Sequence, residues 1–165
     1  PMFLVYWNWL SNKAMNEKHK RVKTPCIGVC STGIGDSVCR GCKRFNHEVI
    51  HWNSYTDGEK KAVLNRLQLL LAQVVSDKIQ VYDVDKLTDE IKRQQVRVND
   101  HSDPHCWVFD LLKAGATQIS DLNTFGCRLR PAWQNSSLID IRDLIDAHFF
   151  ELSSAHYQRY FFTPL

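Results

Sequence analysis

Residues 56–77 read T-D-G-E-K-K-A-V-L-N-R-L-Q-L-L-L-A-Q-V-V-S-D, and this stretch decides the fold class. Thr56 followed three positions later by Glu59 forms a capping box. The threonine hydroxyl accepts from the third helical N–H, and the glutamate reaches back to the N–H of the cap residue. Behind the cap, Val63, Leu67, Leu70, Leu71 and Val74 recur at spacings of three and four, which lines one face of an α-helix. Leu64 and Leu69 widen that stripe onto a second face. The expected helix runs to about Asp77 and needs partners on more than one side, so the chain is predicted to be mainly α.

Downstream the same periodicity returns in shorter form. Val84, Leu87 and Ile91, with Gln94 or Gln95, predict a helix within residues 83–98. Residues 99–103 are a polar break. Asp103-Pro104 then offers a cap and a proline at the first helical position, Trp107, Val108, Leu111 and Leu112 supply a buried face, and Gly115 ends the helix. Residues 119–125 predict a brief helix opened by Ser120 and stopped by Gly126, and residues 128–131 an extended link before Pro131. Ser136 or Ser137 caps a last long helix carrying Ile139, Leu144, Ile145, Phe149 and Leu152, and the aromatic residues 157–162 are expected to dock on the core. A helix-turn-helix over residues 107–134 would aim Arg128 and Arg130 at DNA, but Pro131 falls where a recognition helix has to continue. Residues 56–165 are thus expected to form a helical domain of about four to five helices.

Upstream, residues 46–52 predict a short helical turn with Val49, Ile50 and Trp52, and before it residues 24–44 read T-P-C-I-G-V-C-S-T-G-I-G-D-S-V-C-R-G-C-K-R. Small residues and the lack of periodicity mark residues 24–45 as metal-organised loops, and with the short helical turn they make residues 24–55 a four-cysteine metal-binding module. Cys39 and Cys42 have the spacing of a metal knuckle, with Gly41 permitting the tight turn. Cys26 and Cys30 form a looser pair, and eight residues join the two. Four thiolates suit one Zn²⁺ or one Fe–S cluster. The knuckle favours zinc, and zinc is the slightly favoured occupant of a purified protein, because it is redox-inert whereas a cluster can be lost in air. His47 and His51, four apart on the following turn, are candidates to support the ligands from behind. Cys106 and Cys127 read as small buried apolar residues, and His101, Asp103 and His105 as a helix cap.

Charge is uneven along the chain. Residues 1–45 carry eight Lys/Arg against two Asp/Glu, whereas the remainder is close to balance. Lys18, Lys20, Arg21 and Lys23 lead into the cysteines and Arg40, Lys43 and Arg44 surround the last two, a basic surface for nucleic acid or an acidic protein partner. Residues 1–23 form an apolar then basic arm. Its apolar run, residues 2–10, is far short of the ~20 residues a spanning helix requires. It also lacks the basic residues in front and the small-residue cleavage site of a secretory signal. Met2 and Met15 are both candidate starts. A cytoplasmic, reducing location follows as the expectation, and there cysteines serve metal rather than disulfides.

At these residues the chain resembles the small bacterial proteins gathered as domain of unknown function 1289, described as predicted iron–sulfur proteins. The resemblance rests on Thr24-Pro-Cys-Ile-Gly-Val-Cys30, Val38-Cys-Arg-Gly-Cys42, Glu48-Val-Ile-His-Trp52 and Thr56-Asp-Gly-Glu-Lys-Lys-Ala-Val-Leu64. It covers residues 24–67 and implies Cys26, Cys30, Cys39 and Cys42 as ligands, without implying an activity. No phosphate loop, nucleophile elbow, zinc-protease helix or paired-carboxylate site is present, and Cys39 and Cys42 lack the strand–helix setting of a dithiol catalyst. The expectation is a non-enzymatic, metal-binding regulator or adaptor. An iron–sulfur redox, sensor or accessory protein and a structural zinc module for protein–protein contact are the alternatives.

Overall fold

A computed structural model describes residues 21–162 of the chain. Five α-helices and one two-stranded sheet are found there, so the protein is mainly α. Helix α1 is Asn46–Ile50 and α2 is Asp57–Ser76, the latter opened by the predicted box: Thr56 Oγ1 accepts from Glu59 N at 3.2 Å and Glu59 Oε2 accepts from Thr56 N at 2.7 Å. Strand β1 (Ile79–Val81) follows directly, then α3 (Val84–Arg93) and α4 (Pro104–Gly115). A 3₁₀ turn, Leu122–Phe125, leads into β2 (Cys127–Leu129), and α5 (Leu138–Phe161) closes the described chain with Ser137 as its cap.

Helix α2 packs on both α4 and α5, which also pack on each other, and its two apolar faces feed two cores. Val74 and Val75 join Ile79, Leu87, Val108, Leu112, Ile141 and Ile145 in the larger one. Val63, Leu67 and Leu70 join Trp52 and Phe149 in the smaller one, which lies beneath the cysteine loops. Among the described residues no helix is long and apolar enough to cross a membrane.

Three expectations are corrected. The helix expected within residues 83–98 stops at Arg93, because Gln95 takes a left-handed φ of 56° and Val96 N returns to Ile91 O at 3.1 Å. The helix-turn-helix is replaced by an extended stretch in keeping with the expected link, since Cys127, Arg128 and Leu129 form β2 and pair antiparallel with Val81, Gln80 and Ile79. Gly126 makes this possible: its φ is 67°, its carbonyl accepts from Tyr82 and Asp83, and a Cβ there would strike the Asp83 carbonyl. A 3₁₀ turn and a strand therefore occupy the place of a recognition helix, which removes the helix-turn-helix. Finally, only part of the aromatic end docks. Tyr157 packs on Phe45 with ring centroids 5.2 Å apart, while Tyr160 and Phe162 are exposed.

Candidate metal centre

The knuckle is a small hairpin. Val38 bridges Phe45, Asn46 N donates to Ser37 O at 2.8 Å, Cys39 N donates to Arg44 O at 2.9 Å, and Lys43 N closes the turn on Cys39 O at 2.8 Å. Closing it this tightly puts Lys43 at φ 61°, a conformation that costs a non-glycine residue about 1 kcal/mol or more. Tertiary contacts hold it there. The Lys43 side chain is buried, its Nζ donates to Gly41 O at 3.1 Å and to the Asp146 carboxylate on α5, and it lies over the Phe149 ring.

The first cysteine loop leans against this hairpin. A Cβ on Gly41 would collide with the Val29 carbonyl and meet Ile27, so the glycine is what lets the two loops touch. Cys39 Sγ, when protonated, donates to that same carbonyl at 3.6 Å. Between the loops, buried Ser31 accepts Arg40 N on its Oγ at 2.9 Å and folds the 3₁₀ turn Thr32–Ile34 back through its own carbonyl.

The thiols divide into two kinds. Cys39 and Cys42 are buried, while Cys26 and Cys30 are exposed. Burial opposes ionisation of Cys39, but backbone hydrogen bonds at Cys42, Ser31 and Gly41 and the Cys42 thiol outweigh it and bring the thiol down to about 7. Cys42 goes the other way: burial raises it, against the opposing pull of Arg44, whose Nε donates to Cys42 Sγ at 3.2 Å. Cys26 Sγ accepts Gly28 N at 3.5 Å, and Cys30 Sγ lies 3.1 Å from Thr32 Oγ1. Among the described residues no three His, Cys, Asp or Glu side chains converge on one point as a metal requires. Two abutting loops thus each bring two sulfurs, one pair buried and one pair open. Backbone N–H groups and the Arg44 guanidinium are directed at these sulfurs, the kind of donors that stabilise thiolate.

The basic residues are placed unlike their expected surface. Lys43 and Arg44 are 2% and 3% exposed, which corrects their assignment to a partner-binding face. Both point inward, Lys43 to Asp146 on α5 and Arg44 to the Trp52 ring in the turn that precedes α2. Arg40 is exposed, pairs with Asp36 at 3.0 Å and stacks over Phe150. Arg21 and Lys23 are exposed beside Lys61 and His101, and Lys18 and Lys20 lie outside the described residues. His47 stacks between Phe45 and Phe161, and His51 is exposed at the end of α1. Asp103 does cap α4, accepting His105 N at 2.8 Å.

Sequence reading misses the residues that brace the site. Glu48 is buried, accepts Phe45 N at 2.9 Å and takes both Arg66 terminal nitrogens, while Arg66 stacks 4.0 Å over Phe45. Asp146 lies 103 residues from its partner Lys43, a separation no local signal spans.

A four-cysteine loop pair mounted on a mainly helical support is the class that fold and site define. Residues 24–70 match the family model described as "Protein of unknown function (DUF1289)". A segment of the chain is similar to the uncharacterized protein YdhL of Escherichia coli (strain K12) and to YdhL of Shigella flexneri. Each is 44% identical over 43 residues, which is 26% of this chain and 53% of the relative. The chain thus spans about half the length of the curated relatives it matches. No solved structure matches it.

Proposed function

We propose that the chain is a non-enzymatic, metal-dependent regulator or adaptor of the cytoplasm. Cys26, Cys30, Cys39 and Cys42 hold one Zn²⁺ or one Fe–S cluster, residues 24–55 act as the metal-binding module, and the helices of residues 56–165 support it. The observation that carries this reading is the seating of the Cys26–Cys30 loop on the knuckle through Gly41 and Val29. The contact brings the loops that carry the two sulfur pairs against each other. When bound, the metal supplies a fixed tetrathiolate cross-link. The residues here orient the sulfurs and balance their charge. The remaining exposed cations, Arg21, Lys23 and Arg40, are the contact for a nucleic acid or an acidic protein surface.

A second reading, an iron–sulfur redox or sensor protein, is favoured by the exposure of Cys26 and Cys30, which opens one side of the centre to partners. A structural zinc module for protein–protein contact is the third. Anaerobic purification with metal and sulfide analysis and a visible spectrum separates them. Stoichiometric zinc supports the leading reading, and iron, sulfide and a reversibly bleached absorption select the redox protein. Absence of any bound metal sinks all three. Salt-dependent binding of single-stranded RNA or DNA to the metal-loaded protein tests the partner, and no binding at low salt removes nucleic acid.

A further inference from the structure

Resting on that reading, we propose that Arg44 is the charge-compensating partner of the four-cysteine centre: Nε serves Cys42 Sγ, and Nη1 serves a second anionic sulfur once the thiolates are assembled. The guanidinium is 3% exposed, so it has given up nearly all of its water. Its Nε lies 3.2 Å from Cys42 Sγ and its plane stacks 4.8 Å from the Trp52 ring, yet Nη1 is buried with no hydrogen-bond partner among the described residues. The two carboxylates that brace the module are already engaged. Glu48 is held bidentately by Arg66, and Asp146 by Lys43.

A buried, permanently charged arginine without a carboxylate is unfavourable by far more than stacking on one indole returns. A neutral thiol does not repair this, because it is a weak acceptor with no charge. Zinc with four thiolates carries a formal charge of −2, and its sulfurs are strong acceptors for a planar, forked donor. The same cation that is misplaced beside a neutral Cys42 thiol is well placed beside metal-bound thiolates. Arg44 therefore couples metal loading to the stability of the module, acting as a positioning residue and not as a ligand.

The test compares wild type with Arg44→Met and Arg44→Lys in the full chain, using Zn²⁺ as the probe. Zinc affinity is read by chelator competition, and melting temperature is read for the zinc-free and zinc-loaded forms. Arg44→Met is expected to weaken zinc binding about 10- to 100-fold. Its zinc-free melting temperature is expected to equal or exceed that of wild type, since an apolar chain of similar length replaces an uncompensated charge. Arg44→Lys keeps the charge but not the fork and is expected to fall between the two, which carries the test if the methionine variant fails to fold. Zinc affinities within twofold of wild type, with equal melting losses in both forms, overturn the proposal and leave Arg44 as a stacking element on Trp52. A wild-type protein that binds no zinc overturns this proposal, and one that binds neither zinc nor an iron–sulfur cluster overturns the metal reading as well. Unchanged affinity in the variants of a zinc-binding wild type overturns this one alone.

Discussion

The cysteine module encloses more charge than the helical body does. In the body the fully enclosed groups are mostly apolar, Ile79, Leu87, Val108, Leu112, Ile141 and Ile145 among them, with Lys78 its one buried charge among the described residues, and the gain is the removal of apolar surface from water. In the module Lys43, Arg44, Glu48 and two thiols are enclosed beside Val38, Phe45 and Trp52, while Ile27, Val29 and Ile34 are left outside at 65%, 64% and 86% exposure. Apolar burial is non-directional and tolerates small shifts. Buried charges are favourable only when every partner is in place. The body is therefore expected to hold its fold on its own contacts, and the module only when its sulfurs, cations and carboxylates are matched.

The largest effect that would break this contrast comes from the sulfurs. Cys39→Ser is expected to abolish stoichiometric metal and forfeit a binding term on the order of 10 kcal/mol. Hydrogen exchange should then accelerate across residues 24–45 and stay slow in α4 and α5, and acceleration throughout would show that the body depends on the module. Next, Glu48→Ala leaves Arg66 and Phe45 N without their acceptor and is expected to cost about 3–5 kcal/mol in urea denaturation. In the body, Ile145→Ala is expected to cost about 2–5 kcal/mol, with the same loss whether or not metal is bound.

Smaller effects sharpen the comparison. Burial raises the Cys106 and Cys127 thiols from 9.0 to about 12, so the folded state keeps protons that the unfolded chain releases above about 9. Their contribution is complete below that pH and is lost as pH climbs toward 12, at no more than about 1.4 kcal/mol per thiol and pH unit. Cys127→Val should flatten part of that alkaline decline, measured by denaturation at pH 8 to about 10.5; an unchanged slope would refute it. Thr56→Ala, which removes only the cap of α2, is expected to cost about 1 kcal/mol.

How much of this was legible in the chain depends on the range of the interaction. The start of α2, the cap and proline of α4, and the cap of α5 lie within a few residues of the groups they satisfy, and each is found where its motif predicts. The end of α3 was not legible, because its left-handed residue is Gln95 where a glycine would have announced it. The sheet was not legible either: each strand is three residues long, too short for an alternating pattern, and the partners are nearly fifty positions apart. At the candidate site the four sulfurs were legible from spacing. The inward turn of Lys43 and Arg44 was not, since basic residues beside a loop ordinarily face water.

By itself the sequence determined that this protein is mainly helical, where its long helices begin, and that four cysteines stand together on short loops. Capping, periodicity and spacing are local properties, written within a turn or two of the residues they govern. Only the tertiary structure decided which pair of sulfurs is enclosed, that two of the basic residues near them are interior, and that Glu48, Arg66 and Asp146 brace them. Those outcomes depend on what α2 and α5 present to the hairpin, and a charge turns inward only where a distant partner is already waiting for it.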